Sequence, residues 1–226
     1  MARSPEFIFY IDILQTLERL GIPYVVIGAF AGISYGVTRL TADVDIVVDL
    51  DEVHIQAIAA AYPPPRFYAD PEQMRESIHL GIMFNIIDAT EGRKVDLIPV
   101  TMPPGYGWAL KRRIRRAVPL EQGKTFVAWF ARPEDVIVGK LMAWKEGRSF
   151  KHEQDIRDIL VAIRLGDEPE LTAMFDFNYI SRWAERLGAE VQEEWQALQA
   201  VTRLEKKVRR APSSITQQGS GQAGDP

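Results

Sequence analysis

The stretch "TADVDIVVDL" (41–50) sets two aspartates, Asp43 and Asp45, one residue apart at the start of an apolar run. Side chains at i and i+2 of a strand share a face. The two carboxylates therefore stand together, while Val44, Ile46 and Val48 point to the other side, the core. Carboxylates held that close repel, and one has its pKa raised unless a cation sits between them. Asp96, in "KVDLIPV" (94–100), is flanked by Val95 and Leu97 in the same manner. If its strand lies beside the first, Asp43, Asp45 and Asp96 converge as oxygen donors. Hard oxygen ligands with few protein contacts suit Mg²⁺, or Mn²⁺ in its place, because the ion keeps coordination sites for substrate phosphates. Two such ions can clamp the attacking and leaving oxygens of a phosphoryl transfer. Solvated acids belong in turns; acids embedded in apolar strand sequence point to a catalytic, metal-binding triad.

Those acids need a sheet to hold them. From 5 to 100 the pattern alternates: helix 5–20, strand 24–28, short helix 29–36, strand 43–49, helix 52–61, then strands within 79–89 and 94–100 around a turn at "TEGR". The run "AYPPPRFYADPEQ" (61–73) reads as a loop, since consecutive prolines cannot donate ladder hydrogen bonds. Gly28 ends a strand and Ala29 opens a helix, so the backbone can approach an anion at a helix N-terminus; an ordinary turn glycine is the blander reading. After residue 100 come a basic segment, a strand "TFVAWF" (125–130) and helices near 133–147, 152–165, 176–187 and 189–208. Val136, Ile137, Leu141 and Trp144 recur at helical spacing, as do Ile156, Ile159, Leu160 and Ile163. The expected fold is α/β (α+β): a mixed β-sheet flanked by helices over 1–102, a mostly helical lobe over 103–210 that completes the cleft, and a disordered tail at 211–226. That tail is rich in Ser, Gln and Gly, so ordering it would cost entropy with little apolar burial in return.

Composition narrows the function classes. A chain of 226 residues, 46% apolar with five Trp, fills a core without disulfides. The absence of cysteine excludes thiol catalysis and Cys-based zinc sites and fits the cytoplasm. No stretch approaches the roughly 18 uncharged apolar residues of a membrane span; Asp12, Glu18 and Arg19 interrupt the N-terminal apolar patch, which reads as an amphipathic helix. Net charge is −4, so the molecule as a whole does not advertise a polyanion partner. The basic runs "KRRIRR" (111–116) and "RLEKKVRR" (203–210) are either solvated helix faces or local RNA contacts. No Ser-His-Asp pattern, P-loop or dinucleotide glycine fingerprint is present.

Taken together, a strand, Gly28-Ala29, a helix, thirteen intervening residues, Asp43-Val44-Asp45 and a later strand acid, Asp96, resemble the DNA polymerase β-like nucleotidyltransferase superfamily over roughly residues 20–100. Ala29 stands where that pattern has a second Gly or a Ser. The segment "RPEDVIVGKLMAWKEGRSFKHEQDIRDIL" (132–160) resembles the one following the core in AbiEii-type abortive-infection toxins. By that resemblance Lys140, Lys151 and Asp155 line the nucleotide site, and "TRLTADVD" (38–45) nominates Arg39 and Thr41. The implied activity is Mg²⁺-dependent transfer of a nucleoside monophosphate from an NTP to an acceptor hydroxyl. Asp43 and Asp45 would ligate metal, Asp96 would help deprotonate the acceptor, and Lys140 and Arg39 would neutralise the triphosphate. RNA, such as a tRNA 3′ end, is the acceptor that the resemblance implies, with an antitoxin protein as partner.

Other readings remain at particular residues. Lys140, in "VIVGKLMAW", is a phosphate ligand or a snorkelling side chain. Lys145, Arg148 and Lys151 surround the "EGRSF" turn, where they could equally complement a helix C-terminus. Asp155 is a fourth acid in the cleft or one charge on an exposed helix with Arg157 and Asp158. Of His54, His79 and His152, only the last lies near the site, and their spacing excludes a zinc centre. Two rival functions share the fold: an antibiotic nucleotidyltransferase, and a silent nucleotide- or protein-binding module.

Overall fold

The computed structural model describes residues 5–39, 41, 43–103, 105–120 and 124–210. The tail expected at 211–226 lies outside them. Helix α1 (Pro5–Arg19) buries Phe9, Tyr10, Ile13, Leu14 and Leu17, spaced for one helical face, and leaves Asp12 and Gln15 in solvent. There follow β1 (Tyr24–Val26), α2 (Gly28–Ile33), β2 (Asp45–Val48) and α3 (Glu52–Ala61). The strand expected at 43–49 thus begins only at Asp45, and Asp43 stands exposed ahead of it.

The stretch expected as loop contains β3 (Phe67–Tyr68) and the start of α4 (Pro71–Leu80). Asp70 caps α4 by accepting from the Glu72 N–H at 2.8 Å, Pro71 opens it, and Gly81 ends it in the left-handed region at φ 65°. Residues 79–83 are therefore helix end and turn rather than strand. The hairpin β4 (Phe84–Asp88) and β5 (Arg93–Pro99) comes next, then α5 (Gly107–Arg112), β6 (Ile114–Pro119) and β7 (Thr125–Phe130). The basic run 111–116 is therefore the end of α5 and the start of a strand, not a solvated helix face. Helices α6 (Pro133–Gly147), α7 (Phe150–Leu165), α8 (Pro169–Met174), α9 (Phe177–Leu187) and α10 (Ala189–Arg210) complete the described chain.

Seven strands form one mixed sheet in the order β3-β4-β5-β2-β1-β7-β6. β2 lies parallel to β5 and antiparallel to β1, and β7 joins β1 in parallel through the pair Val26↔Phe130. The sheet therefore crosses residue 102, drawing two of its strands from the second half. One apolar core, including Ile46, Val48, Val95, Leu97, Phe84 and Ile86 at the sheet centre, runs through the molecule. Helix α6 packs on α2, α7 and α9, which brings its central turns over the end of the sheet that carries Asp45.

Candidate active site

The parallel register of β2 and β5 sets Asp45 directly opposite Asp96. Gly28, with φ +67°, supplies the room: a Cβ there would stand 2.1 Å from Asp45 Oδ2. The glycine is thus required twice, by its left-handed backbone and by the acid it faces. Burial first, and then the Asp96 charge, push the Asp45 carboxyl above its ordinary value, against the pull of Lys140. Asp96 is also buried, and its oxygens are occupied. Oδ1 accepts from Asn85 Nδ2 at 2.5 Å and from Lys94 Nζ at 3.1 Å, and Lys94 reaches Oδ2 at 3.3 Å.

Asp43 contributes its charge to Asp45 from an exposed position. Its N–H donates to Thr41 Oγ1 at 3.3 Å, and the Thr41 hydroxyl donates to the Asp43 carbonyl at 3.2 Å, so Thr41 shapes the turn before β2. Among the described residues no group of three acids or histidines is gathered closely enough to hold a metal ion. The crowded pair Asp45 and Asp96 nevertheless has the hard oxygen donors that a divalent ion takes, and a cation would offset both the burial and the Asp96 charge that raise the Asp45 carboxyl.

Lys140 and Asp155 meet across α6 and α7. Lys140 Nζ lies 2.6 Å from Asp155 Oδ2, and Arg39 grips the same carboxylate with Nε and Nη2 at 2.7 and 2.8 Å. Asp155 is fully buried and Lys140 nearly so, which removes both the exposed-helix reading of Asp155 and the snorkelling reading of Lys140. Burial alone would raise the Asp155 pKa; the bonds from Arg39 and Lys140 outweigh it and bring the carboxyl below its ordinary value. One turn on, Asp158 Oδ2 accepts from the Thr38 N–H at 3.2 Å and its hydroxyl at 3.1 Å. The segment that leads to the acids is therefore pinned to α7 at Thr38 and Arg39. Lys151 is exposed in the first turn of α7. Gly28 and Ala29 form the first residues of α2, with Ala29 buried.

Between the sheet end and α5, α6 and α7 lies a cleft of about 220 Å³. Gly28, Asp45 and Ile98 form one side; Val136, Gly139, Lys140 and Ala143 present a face of α6; Tyr106, Trp108, Asp135 and His152 complete the wall. Tyr106 and Trp108 stack at 6.3 Å between ring centres. Asp135, in the first turn of α6, accepts from Arg112 Nε at 3.1 Å, and burial raises its carboxyl to about 6 despite that partner. Sequence reasoning missed Lys94, Asn85, Tyr106, Trp108 and Asp135. Lys94 shares its strand face with Asp96 by the same two-residue period and was within reach; Asn85 follows from the hairpin register, which the sequence left open. The other three come from segments without a local signal.

Three of the five cations in the run 111–116 are paired with acids. Arg112 pairs with Asp135, Arg113 lies over the Trp129 ring at 4.7 Å, Arg115 bonds Glu18 at 2.5 Å, and Arg116 bonds Glu168 at 2.5 and 2.6 Å.

No family model matches the chain, and no curated protein matches it. Among solved structures, a candidate nucleotidyltransferase from H. pylori is similar at 14% identity and a TM-score of 0.42, over 90% of this chain and 94% of its own. The antibiotic-resistance factor ANT(2'')-Ia is similar at 14% identity and a TM-score of 0.41, over 92% of this chain and 96% of its own. No described helix is long and apolar enough to cross a membrane.

Proposed function

We propose that the chain is a nucleotidyltransferase that moves a nucleoside monophosphate from an NTP to an acceptor hydroxyl. The observation that carries this reading is the Asp45 and Asp96 pair, in register on adjacent strands, with Asp45 roomed by Gly28 and sharing one cleft with Lys140. The acceptor oxygen bonds to the α-phosphorus, the bond to the β-phosphate breaks, and pyrophosphate leaves. A divalent ion such as Mg²⁺ or Mn²⁺, held by Asp45 and Asp96 with Asp43 at the rim, would neutralise phosphate charge.

This chain's residues supply position. Lys94 and Asn85 fix the Asp96 carboxylate, and Asp155 fixes Lys140 and Arg39. Lys140 then meets the triphosphate as a held cation, with Lys151 free at the rim. The resemblance to AbiEii-type toxins makes RNA the acceptor and an antitoxin the partner of this reading; within 111–116, Arg112, Arg115 and Arg116 are paired with acids, which leaves Lys111 and Arg113 for phosphate contacts. An antibiotic acceptor on the same fold is the second arm of the test.

Incubation of the full chain with each labelled NTP, Mg²⁺ and either total RNA or an aminoglycoside distinguishes the arms. Label should pass to RNA, and Asp45→Asn should abolish it. Transfer to the aminoglycoside alone would replace the RNA reading. No label on either acceptor would leave the binding-module rival standing, as a nucleotide-binding module if Mg·NTP binds by calorimetry and as a protein-binding one if it does not.

A further inference from the structure

We propose that His152 is the general base of the transfer step, taking the proton of the acceptor hydroxyl as its oxygen bonds to the α-phosphorus. The assignment rests on the nucleotidyl-transfer reading and replaces Asp96 in the role that its strand position suggests. His152 is the third residue of α7 and lines the same cleft as Asp45 and Lys140. Its Nδ1 is buried without a hydrogen-bond partner. An atom so enclosed is out of reach of an acceptor hydroxyl, so the proton is taken at the other ring nitrogen, Nε2.

Asp45 and Asp135 are the carboxylates that line this cleft, and the neighbouring acids Asp96 and Asp155 are paired. Both oxygens of Asp96 accept from Lys94, and one also accepts from Asn85. Asp155 is clasped by Lys140 and Arg39, and the buried Asp135 carboxylate is held by Arg112. Asp96 and Asp155, held as carboxylates by cations, are poor bases, and Asp45 is assigned to the ion; Asp135, its carboxyl raised to about 6 by burial, is the rival base on this cleft, and an unchanged rate in His152→Gln would give it the role. His152 is placed differently. Burial lowers its pKa, and the charges of Lys140, Lys151 and Arg39 lower it further against the single opposing charge of Asp155, itself neutralised by two cations. The imidazole is thus neutral at physiological pH, as a base must be before it acts.

The step balances. The acceptor O–H proton passes to the imidazole, the oxygen forms the new bond to the α-phosphorus, and the electron pair of the broken bond leaves on pyrophosphate. The imidazolium then returns its proton to solvent.

The test uses the full chain and His152→Gln. The imidazole signal is identified in histidine-selective NMR by its loss in the variant, then followed against pH with and without saturating Mg·ATP, Mg·GTP, Mg·CTP or Mg·UTP, whose binding is measured by calorimetry. The expected result is a His152 signal that moves when nucleotide binds, a variant that binds nucleotide as tightly as wild type, and transfer slowed by about 10²–10⁴-fold with the acid limb of the pH profile gone. An unchanged transfer rate, or a His152 signal indifferent to bound nucleotide, overturns the assignment and leaves the nucleotide site intact; the NMR arm needs no acceptor. Parallel loss of binding and rate would make His152 a nucleotide ligand instead of a base. Absence of nucleotide binding by wild type overturns this assignment and the transfer reading together.

Discussion

At the scale of single residues, the site is a set of mutual constraints, and each can be measured. Gly28→Ala should cost about 1–2 kcal/mol for a left-handed backbone alone, and more because its Cβ meets Asp45 Oδ2. In an Asp45→Ala background only the backbone part should remain. Urea unfolding of the four proteins of this cycle gives the coupling directly, and equal costs in both backgrounds would show that the contact is not felt. Asp155→Ala strands the buried Lys140 beside Arg39, with an expected loss of about 3–5 kcal/mol. Lys140→Met leaves Asp155 its two bonds from Arg39, so its cost should be smaller, and a reversed order in thermal denaturation would contradict this account. Because the folded Asp155 carboxyl lies below its ordinary value, its contribution is complete above about pH 4 and is lost as pH falls through the folded value. That Asp45 and Asp96 sit in apolar strand sequence was legible, but the two-residue period paired Asp45 with Asp43, which lies exposed ahead of the strand; the partner Asp96 comes from a parallel register that no local rule contains. The carboxylate shared by Lys140 and Arg39 was legible only as one of two alternatives, since its partners arrive from residues 39 and 140 through tertiary packing.

Elements follow the same division between local and distant causes. Helix α4 carried its own signals in Asp70, Pro71 and Gly81, which the neighbouring prolines at 63–65 overshadowed. Strand β6 carried none, because "IRRAVP" becomes a strand only by pairing with β7 along its whole length. The first turn of α6 gives the clearest element-scale prediction. Asp135 is raised to about 6 by burial, so the folded state holds its proton more tightly than the unfolded chain does. Its sign is therefore opposite to that of Asp155: stability should rise as pH falls from about 6 towards about 4. Asp135→Asn should remove that slope and leave the variant more stable at pH 8, by up to about 2–3 kcal/mol, a figure that already includes the attraction of Arg112. Denaturant unfolding at pH 8, 6 and 4.5 checks both, and a variant less stable at pH 8 would show that the Arg112 pair outweighs burial.

For the molecule as a whole, the sequence led correctly to a mixed sheet with flanking helices, and the strand at 125–130 was visible in "TFVAWF". Its place was not, because a parallel pairing between β1 and β7 leaves no trace in either segment. That pairing makes the first half incomplete without the second. A fragment ending at residue 102 should lack the near-ultraviolet circular dichroism of a packed core and should recover it when the chain is extended through 210. A cooperatively folded 1–102 fragment would refute this. The same pairing has a consequence during synthesis. Val26 and Phe130 are 104 positions apart, which at 5–20 residues per second is roughly 5–20 s of translation. Throughout that interval the apolar "YVV" edge of β1 has emerged or is emerging without its outer neighbour, and an open edge is where chains join to one another. The slower the ribosome moves from Val26 to Phe130, the longer that edge stands open to another chain.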